Sequence, residues 1–358
     1  MQRISTPLNR IKEHYDVVVI GSGYGGGVAA SRMARAGRSV CLLERGREIV
    51  PGEYPDTLEE AIADFQVNAS AGHVGSRTAL FDFHVNAQQN VVVGCGLGGT
   101  SLINANVSLE PDTQIFDDPR WPAALRQDRD TLLRAGYEHA RAMLKPTPYP
   151  HSEPALKKLA ANEKSAAFLL GKEPGQAKEF YRPPINVNFE TLPNNRNHVG
   201  VEQHPCNGCG DCVSGCNYRA KNTTLMNYLP DACNHGAEIF CQAAVRHLEK
   251  DGDGWIVHFQ QIGTGREKFD APTLFVKADI VIVSAGTLGS IEILLRSQKN
   301  GLALSPQLGR HISGNGDILG FGYNCDDEIN GIGFGAQPVD TKNPVGPCIT
   351  SIIDMRDQ

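Results

Sequence analysis

The chain has 358 residues, 41% of them hydrophobic and 21% charged, and a formal net charge of −6. That balance suits a soluble globular protein with room for two domains, and the negative charge leaves no footprint for nucleic acid or an anionic membrane as partner. No apolar run nears the roughly 18 residues of a transmembrane segment. The polar stretch Met1 to His14 has no signal-peptide core, so a cytoplasmic or organelle-lumen location is expected.

Tyr15 to Ile20 (YDVVVI) reads as a buried parallel strand. It runs into Gly21-Ser22-Gly23-Tyr24-Gly25-Gly26-Gly27, a helix over Val28 to Ala36 and a second strand, Ser39 to Leu43, ending on Glu44. Together these make one βαβ unit. Residues 46 to 89 carry weak periodicity with scattered prolines and glycines. Gln89 to Val107 reads as a strand entering a second glycine-rich loop, and Asp130 to Lys145 and Ala155 to Gly171 have helical spacing. Tyr181 to Asn197 is loop-like. A cysteine run follows, then a helix around Thr223 to His235. Short strands are expected at Glu238 to Gln242, Val245 to Lys250, Trp255 to Gln261 and Thr273 to Lys277. Asp279 to Ser284 returns to the buried parallel type, and a helix over Gly286 to Ser297 comes after it. Ile349 to Met355 is strand-like without an obvious partner.

The first loop carries G-x-G-x-x-G as Gly21, Gly23 and Gly26. The first glycine permits the tight turn, the second lets backbone N–H groups approach a pyrophosphate, and the third allows close helix–strand packing. The helix N-terminus adds unpaired N–H groups and a positive dipole end. Glu44 stands about 20 residues on, where a carboxylate accepts hydrogen bonds from a ribose diol and repels a 2′-phosphate. A dinucleotide is therefore expected, although this loop alone does not separate FAD from NAD.

The second loop, Gly94-Cys95-Gly96-Leu97-Gly98-Gly99-Thr100-Ser101-Leu102-Ile103-Asn104-Ala105-Asn106, leads into Val107-Ser108-Leu109-Glu110-Pro111. This pattern resembles the flavin-contacting signature of the glucose–methanol–choline (GMC) oxidoreductases, most closely their cholesterol-oxidase-like branch. The similarity continues through Ala220-Lys221-Asn222-Thr223-Thr224, Asn227-Tyr228-Leu229, the strands near Val245 and Ser284-Ala285-Gly286-Thr287-Leu288-Gly289, and spans Tyr15 to about Asp354. Ser108 departs from it, standing where the family usually has an aromatic residue or alanine.

The resemblance implies FAD as cofactor. It places Gly94, Gly98, Gly99 and Asn104 beside the flavin, the Val245 backbone at the adenine, and Ala285 and Gly286 near the phosphates and ribose. It also implies an α/β fold: a Rossmann-type FAD domain from residues 12–110 and 200–312, and an inserted α+β substrate domain from 111–199 and 313–358. The reaction would oxidise a hydroxyl, on a sterol or other hydrophobic alcohol, with oxygen or a redox partner as final electron acceptor.

Cys206-x2-Cys209-x2-Cys212-x3-Cys216, within residues 204–220, has the spacing of a bacterial ferredoxin run, which points to a [4Fe–4S] cluster. The fourth cysteine of such a run commonly serves a second cluster, so a single cube would need another ligand, with Cys233 and Cys241 as candidates. Asn217 also replaces the proline usual after that cysteine. Zinc on four thiolates and a loop of unmetallated thiols are the other readings. Some relatives in the cholesterol-oxidase-like branch carry the same run.

His73, His84, His204, His235 and His311 lack ligand or triad spacing and read as structural or surface residues, and Cys95 reads as packing. No Gly-x-Ser-x-Gly elbow suggests hydrolase chemistry. Alcohol oxidation needs a base near the hydroxyl. In the GMC family that base is a histidine in the C-terminal part, past the position matching Gln358. No catalytic residue is assigned, and the chain is expected to be a fragment. An iron–sulfur flavoprotein dehydrogenase, a non-catalytic FAD-binding protein and an NAD-dependent reductase are the alternatives.

Overall fold

The computed structural model describes residues 2–265, 273–335 and 338–356. Strand β1 (His14–Ile20) lies at the centre of the main sheet and is buried on both faces, as its unbroken Val-Val-Val-Ile run requires. Helix α1 (Tyr24–Arg35) opens inside the glycine turn, four residues earlier than expected, and β2 (Val40–Leu43) returns parallel to β1. Val17 and Val19 join Ala30, Ala34, Leu225 and Leu229 in one apolar cluster. Val18 and Ile20 point the other way, into a cluster with Phe240, Val257, Phe259 and Ile293. Each buried Val, Leu, Ile or Phe side chain among these stabilises the fold by about 1.5–3 kcal/mol.

The weakly periodic stretch folds into α2 (Leu58–Ala63) and three short strands, β3 (Phe65–Ala69), β4 (Gly72–Gly75) and β5 (Phe81–His84), and the strand expected from Gln89 is β6 (Val91–Gly94). They form a separate sheet in the order β4-β3-β5-β6. Beyond it come α3 (Ala123–Gln127), α4 (Arg134–Leu144), β7 (Thr147–Pro148), α5 (Lys157–Leu170), β8 (Phe180–Tyr181) and β9 (Pro184–Ile185).

Helix α6 (Tyr228–Asn234) packs on α1 through Asp231, which is 2% exposed. Its carboxylate accepts from Ser31 Oγ at 2.6 Å and Arg35 Nε at 2.8 Å. Strands β10 (Glu238–Phe240), β11 (Ala243–Asp251), β12 (Gly254–Gln261) and β13 (Leu274–Val283) complete the main sheet, in the order β10-β2-β1-β13-β12-β11. The two strands expected at Thr273 to Lys277 and Asp279 to Ser284 are one continuous strand. Leu274 to Ala278 pair antiparallel with β12 and Lys277 to Val283 pair parallel with β1, so Lys277 and Asp279 do not interrupt it. Helix α7 (Gly286–Lys299) follows, and β14 (Ile352–Ile353) pairs antiparallel with β8, the partner the sequence did not disclose. Among the described residues no helix is long and apolar enough to cross a membrane.

Candidate cofactor-binding site

The first glycine turn sits at the C-terminal end of β1, where Gly21 N donates to Leu43 O at 2.8 Å and so ties the turn to β2. A Cβ on Gly26 would collide with the Gly21 carbonyl, so the third glycine is fixed by helix–strand contact. Gly23 differs. It is the N-cap of α1, and a Cβ there would meet nothing within 4 Å. The first turn of α1 carries no acidic side chain and no side-chain cap. The helix therefore offers free N–H groups and a positive dipole end to an open seat.

The second glycine loop closes directly onto the first. A Cβ on Gly99 would stand 2.9 Å from Gly23 Cα, and Gly98 N donates to Ser22 Oγ at 2.8 Å. Ser22 Oγ in turn donates to Glu44 Oε2 at 2.5 Å, and Ser22 N reaches the same oxygen at 3.1 Å. Gly46 N donates to Glu44 Oε1 at 2.7 Å. The buried Glu44 is thus held by its own neighbourhood, while Oε1 keeps one acceptor position free. Ser101 Oγ donates to Gly98 O at 2.6 Å, and Thr224 Oγ1 lies 3.1 Å from Ser22 O and 3.2 Å from Gly98 O. Gly94 closes the loop on itself, with Thr100 Oγ1 accepting from its N–H at 3.1 Å. Asn104 Nδ2 donates to the Tyr24 hydroxyl at 2.8 Å, and burial raises that phenol's pKa.

Gly21, Gly23, Gly26, Glu44, Gly94, Gly98, Gly99 and Asn104 are therefore brought together. Ala285 is also there, with its Cα 2.9 Å from where a Gly21 Cβ would lie, and Gly286 opens α7 at φ +70. Val245 belongs to the apolar cluster of Ile20 and Leu43, against which Ala285 packs, and Ala243 N donates to Glu44 O at 2.9 Å. Ser22, Tyr24, Ser101 and Thr224 were not singled out from the sequence. Ser22 and Tyr24 fall inside the first glycine turn, but no spacing rule marks their partners.

A buried lysine joins this loop to the cysteine run. Lys221 Nζ donates to Leu102 O at 2.9 Å, Asn104 O at 2.8 Å and Cys212 O at 2.9 Å. Burial pushes its pKa down to about 8. Cys212 is held down to about 6, chiefly by a hydrogen bond from the Cys348 thiol, against the opposing effect of burial and with help from the Lys221 ammonium. Burial pushes the Cys206 and Cys216 thiols up, and Cys209 up to about 12. Among the described residues no group of three or more His, Cys, Asp or Glu side chains is placed to hold a metal ion. The four cysteines of the run nonetheless border one cleft, which Lys221 also lines. Cys233 and Cys241 lie elsewhere, packed against the α1–α6 cluster. The fifth cysteine beside it is Cys348.

The histidines occupy local roles. His73 Nδ1 lies 2.9 Å from Asn68 Oδ1, His84 Nε2 3.3 Å from Asp82, His204 Nε2 3.0 Å from Glu202 and His235 Nδ1 2.8 Å from Asp231 O, while His311 is exposed. Cys95 is 2% exposed, and burial raises its thiol to about 12.

Residues 15–313 match the family model described as GMC oxidoreductase. A cholesterol oxidase of Acinetobacter baumannii is 28% identical over 324 residues, 87% of this chain and 57% of that protein. A cholesterol oxidase of Mycobacterium tuberculosis is 29% identical over 322 residues, 84% of this chain and 51% of that protein. A long-chain-alcohol oxidase of Arabidopsis thaliana is 26% identical over 337 residues, 92% of this chain and 40% of that protein. The chain thus spans about half the length of the curated relatives it matches.

Proposed function

This chain belongs to the GMC oxidoreductases, and on that premise we propose that it binds FAD across its two joined glycine turns and serves the oxidation of a hydrophobic alcohol to a carbonyl compound. The observation that carries the reading is the Ser22–Gly98 hydrogen bond, with Gly99 seated on Gly23. It unites an anion-receptive helix N-terminus with a loop of small residues at one place.

In this reading the N–H groups around Gly23 and the α1 N-terminus hold the pyrophosphate, helped by the Ala285–Gly286 turn. The free acceptor position on Glu44 Oε1 takes a ribose hydroxyl, and backbone near Val245 borders the adenine. Gly94, Gly98, Gly99 and Asn104 border the ring, and Tyr24 fixes the Asn104 amide through its hydroxyl. Bound FAD would supply the hydride acceptor for the carbinol C–H. Residues 12–110 and 200–312 form the FAD-binding part, and 111–199 with 313–358 contribute to a substrate domain. The chain's relatives are named for cholesterol and for long-chain alcohols, which supports a sterol or other long apolar alcohol as the substrate class, with oxygen or a redox partner taking the electrons.

Anaerobic titration of the FAD-loaded protein with cholesterol or 1-hexadecanol tests the substrate class. The flavin absorption bands shift or bleach with these alcohols and not with ethanol at equal concentration. Flavin bands indifferent to every hydrophobic alcohol overturn it.

A further inference from the structure

The cysteine run has no part in the function proposed above, yet its surroundings are ordered. Cys206, Cys209, Cys212 and Cys216 border one cleft, with Cys212 buried and the other three half-buried. Gly208, Gly210 and Gly215 take φ of +75, +79 and +115, which lets the backbone turn around that cleft. Gly208 N donates to Cys206 Sγ at 3.4 Å, and Cys209 N to Asn207 Oδ1 at 3.2 Å. Residues 344–346 lie across the loop: Gly346 N donates to Gly208 O at 2.8 Å, and Pro344 and Val345 pack on Gly208 and Gly210 too closely for either to carry a Cβ in place.

We propose that Cys206, Cys209, Cys212 and Cys216 together ligate one [4Fe–4S] cluster.

The form of the donor set favours a cube over a single ion. Zinc gathers its thiolates within about 2.3 Å of one point, and among the described residues no three such side chains meet in that way. A cube takes one thiolate at each iron, so its four sulfurs stand apart around a common space, as four cysteines bordering one cleft do.

The fourth cysteine belongs to the same set. In two-cluster ferredoxins it turns away to the other cluster. Here Gly215, seated against the Tyr54 ring where no Cβ would fit, turns the chain so that Cys216 borders the cleft of the other three. Asn217, standing where such runs have proline, then clamps the end of the loop. Its Oδ1 accepts from Gly52 N at 2.8 Å and Tyr54 N at 3.0 Å, and its Nδ2 donates to Tyr54 O at 3.0 Å. Proline could make none of these bonds.

Charge points to an anionic occupant. Lys221, 2% exposed, lines the cleft and spends all three ammonium donors on the Leu102, Asn104 and Cys212 carbonyls. Carbonyls satisfy its N–H groups without neutralising the buried charge. A cube held by four thiolates is a net anion and supplies the missing counter-charge. Because the same ammonium holds Asn104 O, the cluster would stand one side chain away from the second glycine loop. That neighbourhood to a flavin rests on the FAD reading; the cluster itself does not.

The test uses the full chain, reconstituted anaerobically with ferrous iron and sulfide, desalted, and assayed for iron, zinc and acid-labile sulfide. The expected result is about four iron atoms and four sulfides per chain. Dithionite should bleach a broad visible band and produce a fast-relaxing EPR signal seen only at low temperature, unlike that of a flavin radical. Cys206→Ala and Cys216→Ala, shown to be folded by circular dichroism, should lose iron and sulfide together, while Cys233→Ala, away from the cleft, keeps both. A folded wild-type chain that takes up no sulfide overturns the proposal, as does a single zinc or iron ion per chain. So does iron and sulfide content undiminished in Cys216→Ala or lost in Cys233→Ala. The wild-type stoichiometry and EPR signal decide the question should the variants fold poorly. Iron and sulfide are counted apart from flavin, so a failure to bind FAD and a failure to bind the cluster are read separately.

Discussion

The seat at Gly23 and the contact at Gly99 make opposite predictions for the same small change, an added methyl group. Gly99 sits at φ +56, which costs an L-residue about 1–2 kcal/mol. Its Cβ would lie 2.9 Å from Gly23 Cα, inside the 3.4 Å at which ordinary contact begins, an overlap of 3.4 − 2.9 = 0.5 Å against backbone. Overpacking of that kind adds about 1–3 kcal/mol, so Gly99→Ala should lower the stability of the cofactor-free protein by roughly 2–5 kcal/mol. Gly23 has φ −63, which alanine adopts freely, and its Cβ would meet nothing within 4 Å. Gly23→Ala should therefore cost the cofactor-free protein no more than about 1 kcal/mol, through the weaker N-cap preference of alanine. The same methyl group would stand in the proposed phosphate seat. A penalty of about 1–3 kcal/mol there weakens FAD binding roughly 5- to 150-fold. Urea unfolding of the cofactor-free variants, with FAD titration followed by fluorescence quenching, separates the two effects. Unchanged stability in Gly99→Ala would refute the contact between the turns. Undiminished FAD affinity in Gly23→Ala would refute the seat.

Three further outcomes follow from the polar interior. Lys221→Met leaves the buried Leu102, Asn104 and Cys212 carbonyls without their donor and should lower stability by about 3–5 kcal/mol, read as the shift in urea midpoint at constant m. Glu44→Gln turns one of three accepted hydrogen bonds into a donor–donor conflict and should cost roughly 1.5–3 kcal/mol, with a parallel loss of FAD affinity. Burial raises Asp211 from 3.8 to about 6. Between those values the unfolded chain has released a proton that the folded chain still holds, so stability falls as pH rises from about 4 to 6, by at most about 3 kcal/mol, and then levels off. Asp211→Asn should flatten that part of the pH profile; an unchanged slope contradicts the assignment.

The first βαβ unit was legible because its cues agree: a β-branched run, glycines at fixed offsets, an alanine-rich helix and a terminal acid. Even there the helix began four residues early, since Tyr24-Gly-Gly-Gly reads as a turn until the strand behind it holds Gly26 in place. Of the four-stranded sheet from Phe65 to Gly94 only β6, the strand entering the second glycine loop, was legible. The other strands have four or five residues, one of them is Gly-His-Val-Gly, and β3 does not alternate cleanly between buried and exposed positions. The break assumed at Lys277 and Asp279 came from reading polar residues as a stop, whereas both point away from the buried cluster formed by Val276 and Ala278. At the site, Gly21, Gly23, Gly26 and Glu44 could be read from spacing, and the glycines of the second loop only through the family resemblance. Their partners Ser22, Thr224 and Tyr24 could not, because one polar side chain looks like another until the backbone brings it within hydrogen-bond range. The same limit explains the cysteines: Cys233 and Cys241 are near the run in sequence, while Cys348, whose Sγ lies 3.7 Å from Gly210 O, is far away.

The union of the two glycine turns into one receptor for FAD is most directly measured by equilibrium titration of the folded, cofactor-free protein with FAD, followed by flavin fluorescence and visible absorption. The structure predicts uptake of one equivalent with quenched emission and a protein-bound flavin spectrum, strongly weakened in Gly23→Ala. A protein that circular dichroism reports as folded and that leaves FAD free in solution would contradict it.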